Sequence, residues 1–246
     1  MAKVLLEICC GSAEDAIVAA GHGADRVELN TNLFQGGLTP SIGTLQVVKA
    51  HTDIPVMTMV RPRAGGFCYT ETEMETARAD AKALLANVAD GLVFGFLHED
   101  VTVDEARTRT FVELAEGKPS VFHRAIDVVP DWKRALDSLI RIGVTRVLTS
   151  GQESDVFFAL DTIAEMIRFA GNAIEILPGA GITLRNVDRV VAETGCTQVH
   201  LARHKAYPET SVANNRSIYY GGVLYPPEDR FEITDGDYVA AVRAKL

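Results

Sequence analysis

Eight short apolar runs, the turn and helix-start signals between them, and enough apolar residues for one large core predict an α/β chain. The architecture they fit is a single (β/α)8 barrel of the TIM type with an irregular or displaced final βα unit. The runs are 4–9, 26–29, 56–60, 91–97, 120–123, 146–148, 173–177 and 198–201. Their starts lie roughly 20 to 35 residues apart, the length of a strand, a crossover helix and two loops. With 246 residues, 47% of them hydrophobic, one barrel domain spanning 1–246 is expected. A five-stranded doubly wound sheet is the alternative, and eight units fit a barrel better.

The intervening segments carry helix signals in order. Ser12 can cap a helix whose first turn holds Glu14 and Asp15, acids that suit its positive end, and Gly21 or Gly23 ends it. Thr70 followed by Glu73 starts a helix running to about Ala86. Residues 131–142, stopping at Gly143, and 155–169 are amphipathic, and another helix is expected from about Leu184. Segment 204–226 holds four tyrosines and several turn formers without a helical period, and a final helix is expected within 235–244. The whole of 204–246 is therefore expected to be an irregular closing segment, covering the barrel mouth or meeting another subunit.

Acidic residues outnumber basic ones by 33 to 24, a net charge of -9, which argues against broad binding to nucleic acid or anionic membranes. No run of about 18 apolar residues suggests a membrane span. The four cysteines, at 9, 10, 68 and 196, lack disulfide-framework spacing, so a reduced, cytoplasmic protein is expected.

In a barrel, polar residues at the C-terminal ends of strands point into a shared mouth. They recur here strand after strand. Period-two alternation puts Glu7 on the face of Cys9, and Glu28 on the face of Asn30. His123 ends its strand and is followed by Arg124 and Asp127; His200 lies on the last strand, which should adjoin the first and bring it towards Glu7. Two carboxylates sharing a cavity can separate their pKa values, and imidazole moves protons near neutral pH. Glu7, Glu28, His123, Asp127 and His200 are the candidate proton-transfer residues, with purely structural ion pairing to Arg61 and Arg124 as the alternative reading of the acids.

Arg61 and Arg63 flank a proline after the third run and match a carboxylate or phosphate with paired hydrogen bonds. The following Gly65-Gly66-Phe67 reads as a flexible loop or lid. Two glycine loops, Ser150-Gly151 and 178–181 with Gly179 and Gly181, offer backbone N–H groups to an anion, with Arg124 and Arg203 as further cations. A small phosphorylated or carboxylated ligand is the expectation, and an isomerase or lyase is the enzyme class that needs neither a dinucleotide fingerprint nor a nucleophile motif. For a metal, Cys9 is the candidate ligand; Cys10 should face the other way. A hard divalent ion would use Glu7, Glu28, His123 or His200, without any recognised zinc spacing. His22, His51 and His204 read as surface or loop residues.

These strand ends resemble the CutC copper-homeostasis family. The matching stretches are 6–9 (LEIC), 23–29 (GADRVEL), 36–41 (GGLTPS), 60–63 (VRPR), 90–95 (DGLVFG), 122–125 (FHRA), 147–151 (VLTSG), 178–183 (PGAGIT) and the His200 strand. The resemblance implies a cytoplasmic TIM barrel, often a homodimer, with a role in copper handling and Cu(I) binding through cysteines. Cys9 matches one family cysteine. Asn30 stands where relatives often carry the second, Ala180 replaces a usual glycine, and Leu201-Ala202 departs from a small, hydroxyl-rich pattern. Three functions follow: a copper-handling protein, an enzyme acting on a small anion by proton transfer, or a non-catalytic binding or scaffold protein.

Overall fold

Alternation along each strand decides which side chains meet at the barrel axis and which pack beneath the helices. The computed structural model describes residues 3–215, 217–221 and 227–246. Eight strands alternate with helices: β1 (Leu5–Cys10), α1 (Ala13–Gly21), β2 (Arg26–Leu29), α2 (Ile42–His51), β3 (Val56–Met59), α3 (Glu71–Ala86), β4 (Gly91–Phe94), α4 (Glu105–Leu114), β5 (Ser120–Phe122), α5 (Trp132–Ile142), β6 (Arg146–Thr149), α6 (Leu160–Ala170), β7 (Glu175–Pro178), α7 (Val187–Thr194) and β8 (Gln198–Leu201). All are parallel, in the order β7-β6-β5-β4-β3-β2-β1-β8, forming a nearly closed barrel. β7 and β8 meet through side chains, with Gln198 donating to Glu175 at 3.2 Å across the seam.

The helix starts lie close to where the caps put them. Ser12 accepts from the Asp15 N–H, and Thr70 and Glu73 form a reciprocal capping box. Gly143 ends α5 in the left-handed conformation expected of a C-terminal glycine. Two starts differ. Asp155 caps a single 3-10 turn, Val156–Phe158, so α6 begins only at Leu160. Asn186 takes the Thr183 N–H at 2.7 Å, which holds the chain in a turn after Leu184 and delays α7 to Val187.

Outward residues such as Leu6, Ile8, Cys10, Leu29, Phe94 and Phe122 are fully buried under the helices. Inward residues divide by strand. Met57, Met59, Val93, Val121, Leu148 and Leu177, from β3 to β7, form a separate apolar cluster along the axis. The β1, β2 and β8 side is polar: Glu7 is paired with Arg26, Arg26 donates to Gln198 at 2.9 Å, and Gln198 reaches Glu175, which also holds Arg146 at 2.6 Å. A hydrogen-bonded chain thus runs along one side of the barrel and crosses its seam.

The closing segment contains an antiparallel pair that the sequence did not signal, β9 (His204–Pro208) with β10 (Arg230–Thr234), followed by α8 (Gly236–Arg243). Residues 216 and 222–226 of the expected irregular stretch lie outside the described residues. Asp15 accepts the Thr234 N–H at 2.6 Å, and Arg243 reaches Asp25 at 2.7 Å and the Val4 carbonyl at 3.0 Å, fastening the segment to the first βα unit. No helix among the described residues is long and apolar enough to cross a membrane.

Removing one partner of a buried ion pair leaves the other charge stranded, at a cost of about 3–5 kcal/mol. Arg26→Met, which strands the Glu7 carboxylate, should destabilise the protein by that amount in urea unfolding. A loss of well under about 1 kcal/mol, the range of an exposed pair, would mean that the pair does not hold the barrel.

Candidate functional site

At the C-terminal ends of the strands the barrel opens into a cavity of about 610 Å³. Pairing register builds one wall. Glu7 lies opposite both Arg26 and His200, and Cys9 lies opposite Glu28, so three neighbouring strands present these side chains inward together. The Cys9 thiol, a Glu28 carboxylate oxygen and a His200 ring nitrogen lie within 4.8 Å of one another. Behind them Glu7 accepts from His200 Nδ1 at 2.8 Å, confirming the approach expected from strand adjacency and leaving Nε2 as the free ring nitrogen. Asn30 Nδ2 donates to Glu28 at 2.9 Å and to Cys9 Sγ at 3.5 Å, and Cys9 donates to Glu28 Oε2 at 3.5 Å. Glu28 Oε1 is buried without a partner. Gly37 carries a left-handed φ of 83°, and a Cβ there would stand 2.5 Å from Asn30 Oδ1, so the loop over this wall requires glycine.

The two carboxylates are driven apart. Burial alone would raise the pKa of Glu7, but the His200 hydrogen bond and the Arg26 charge outweigh it and bring it to about 2. Glu28 is raised by burial and by the Glu7 charge, against the opposing pull of His200. Burial and then the adjacent Glu28 carboxylate raise the Cys9 thiol well above its ordinary value, so it is held as the neutral thiol. Burial lowers His200, but Glu28 and Glu7 override it and the ring is more basic than usual.

The far wall, beyond β3 and β5, is built differently. Arg61 Nη1 donates to the carbonyls of Gln35 and Gly37 at 3.0 and 2.9 Å, and Nη2 to that of Gly65 at 2.6 Å. His123 Nδ1 accepts the Ala125 N–H at 3.2 Å, and burial followed by the Arg61 charge takes the ring down to about 3. Gly95 leaves room for it, since a Cβ there would overlap the His123 ring. Phe67, on the glycine loop after β3, packs with its ring centroid 4.7 Å from that of His123 and 5.5 Å from Arg61 Cζ.

Of the expected site residues, Cys9, Glu28, Arg61, His123, Arg124, Gly181 and His200 line the cavity, with Glu7 directly behind. The others are placed elsewhere. Arg63 turns back on its own loop, gripping Glu73 at 2.5 Å and the carbonyls of Ala64, Gly66 and Cys68. Asp127 does not orient His123; it accepts from Thr149 Oγ1 at 2.5 Å, the Ser150 N–H at 3.0 Å and Arg124 at 2.8 Å, and so locks the β6 loop. Ser150 is spent on this lock, and the Gly151 N–H goes to Thr149 Oγ1 at 2.9 Å. Gly179 is a packing glycine, where a Cβ would stand 2.7 Å from Leu148, and its N–H goes to the Thr149 carbonyl. Gly181 abuts the Asp155 carboxylate, a poor neighbour for an anion. Arg203 stacks on Tyr238 at 5.6 Å. Ala180 adopts a left-handed φ of 74°, consistent with glycine being the more usual residue there. His204, read from the sequence as an ordinary loop residue, lines the cavity from β9, and Phe67 and Met59 join it; only the alternation of β3 pointed to Met59.

Comparison with known proteins agrees with the residue pattern. The sequence profile of the CutC family matches residues 4–205. A CutC family protein of Treponema denticola is 52% identical over 246 residues, all of both chains. The human copper homeostasis protein cutC homolog is 39% identical over 240 residues, 98% of this chain and 88% of that protein. The crystal structure of a Streptococcus agalactiae copper homeostasis protein CutC superposes with a TM-score of 0.77 at 32% identity, covering 80% of this chain and 98% of that one.

Because Glu7 is held at about 2 against an ordinary 4.5, the stability it contributes is complete above pH 4.5 and is lost as pH falls through 2. Urea unfolding over that window should show the wild type losing on the order of 3 kcal/mol more than Glu7→Gln. Parallel losses in the two proteins would mean that Glu7 is not held ionised.

Proposed function

The chain belongs to the CutC family, and from that premise we propose that its barrel mouth binds a single Cu(I) ion through Cys9 and His200, with Glu28 beside them. The observation that carries this reading is the convergence of thiol, imidazole and carboxylate within 4.8 Å. Cu(I) is a soft ion that favours thiolate and imidazole over oxygen. His200 suits the role because Glu7 fixes Nδ1 and leaves Nε2 facing the cavity, the carboxylate–imidazole support common behind metal-binding histidines. Glu28 suits it in a second way. The thiol must lose its proton to become a ligand, and the carboxylate already accepting that S–H has a raised pKa and an oxygen without a partner. Asn30 adds no thiolate, so the ion would be held by one sulfur, with the Asn30 amide donating to it.

Anaerobic Cu(I) titration against a competing chelator tests this. Cys9→Ser should weaken binding by at least about tenfold, and Asn30→Cys, which restores a second thiol, should strengthen it by a similar factor. Binding indifferent to Cys9→Ser sinks the site. Because the thiol proton is displaced, and below the raised pKa of His200 an imidazolium proton with it, affinity should also rise at least about tenfold per pH unit below the raised pKa of Cys9. A flat pH dependence would remove the thiolate from the ligand set.

A further inference from the structure

We propose that the far wall of the barrel mouth, built from Arg61 and His123 and screened by Phe67, binds the carboxylate of a small organic acid with an aliphatic body. This site is separate from the Cys9 wall and stands whether or not copper binds there.

Two buried donors on this wall lack an acceptor. His123 is 4% exposed and Arg61 6% exposed, and both line the cavity. His123 uses Nδ1 to accept the Ala125 N–H, so the neutral ring carries its proton on Nε2, and Nε2 has no partner. Arg61 is fixed by the three carbonyls it grips and lies within reach of the buried Tyr69 hydroxyl, yet its Nε–H makes no well-aligned hydrogen bond. Buried polar atoms without partners are uncommon in folded proteins. Both of these need the same thing, an oxygen acceptor, and one of the donors is cationic. A carboxylate offers two acceptor oxygens and one negative charge.

The surroundings choose among anions. One guanidinium, already shared with backbone carbonyls, faces a mouth that also holds Glu7 and Glu28, which disfavours a doubly charged phosphate. The glycine loop that would serve phosphate has Asp155 against Gly181 instead. Leu33, Met59, Leu148 and Ile182 supply an apolar lining for the rest of the ligand. In this structure the Phe67 ring packs on both His123 and Arg61, and neither donor atom reaches solvent. The loop backbone is held, Gly65 by Arg61, Gly66 by Arg63 and the Phe67 carbonyl by the Leu97 N–H, so it is the half-buried Phe67 side chain that turns to another rotamer and lets the carboxylate take its place.

Calorimetric titration with 3-methylbutanoate, its neutral amide and inorganic phosphate tests the assignment. The acid should bind, the amide at least about tenfold more weakly, and phosphate more weakly than the acid. His123→Asn can still accept the Ala125 N–H as a cap but has no Nε2 donor, and should weaken the acid by at least about tenfold in a protein that remains folded. Cys9→Ser should leave acid binding as it is, which separates this site from the copper reading. In the wild type, the His123 Nε2–H resonance should shift on adding the acid. Each of these results overturns the proposal: no binding at millimolar acid, equal binding of acid and amide, tighter binding of phosphate, or an unmoved His123 resonance. Undiminished binding by a folded His123→Asn protein does the same.

Discussion

The mouth of this barrel depends on how a negative charge is kept inside it. Glu7 is buried in the interior, and it stays ionised because Arg26 faces it on β2 and His200 on β8. Each partner comes from a strand directly hydrogen-bonded to β1, so barrel register and charge neutralisation are one arrangement. The chain of contacts then extends through Gln198 and Glu175 to Arg146 across the seam between β7 and β8. A buried network of this kind must be satisfied throughout, since one missing partner strands a charge in a medium that cannot solvate it. That demand explains why polar side chains gather on β1, β2 and β8 and at the starts of β6 and β7, while the rest of β3 to β7 fills the axis with Met, Val and Leu.

The same asymmetry gives the mouth two histidines of opposite character. His200 stands against carboxylates and becomes more basic; His123 stands near Arg61 and is held neutral far below the ordinary range. Burial pushes both rings down. For His123 it is the larger cause and the Arg61 charge adds to it, whereas at His200 the Glu28 and Glu7 carboxylates reverse it. One wall therefore offers an imidazole tied to a carboxylate beside a thiol, suited to a soft cation, and the other a neutral N–H donor beside a guanidinium, suited to an oxyanion.

Much of this was legible in the sequence because it is local or periodic. The alternation in Leu5–Cys10 placed Glu7 and Cys9 inward and Cys10 outward, and closure of the barrel brought His200 to Glu7. Capping residues located α1, α3 and α5 closely. The loops were not legible in the same way. Arg63, Asp127 and Ser150 carry the right chemistry at the right strand ends, yet each is consumed by backbone groups or loop neighbours close in space. Which charged side chain escapes such capture depends on loop conformation, and no periodicity encodes that. The β9–β10 hairpin was hidden for a related reason: its strands are short, largely exposed and separated by a long connection, and its fastening to the barrel runs through Asp15, which the sequence presents only as a helix-start acid.

The size of the mouth bears on how the two walls relate. A metal ion coordinated by Cys9 and His200 occupies a small part of 610 Å³, and its ligands all lie on the β1, β2 and β8 side. The remaining space is bounded by aliphatic side chains and by Arg61 and His123, whose orphaned donors have no use in holding a cation. A site evolved for a bare soft ion has no need of a buried guanidinium, which repels the ion and depresses a nearby imidazole. Asn30 sharpens the contrast: with an amide in place of a second thiol, the metal side is reduced to one sulfur while the Arg61 wall is complete. The physical reading is of a mouth with two complementary faces, in which Glu28 stands between a thiol that must lose a proton and a cavity large enough for an organic molecule.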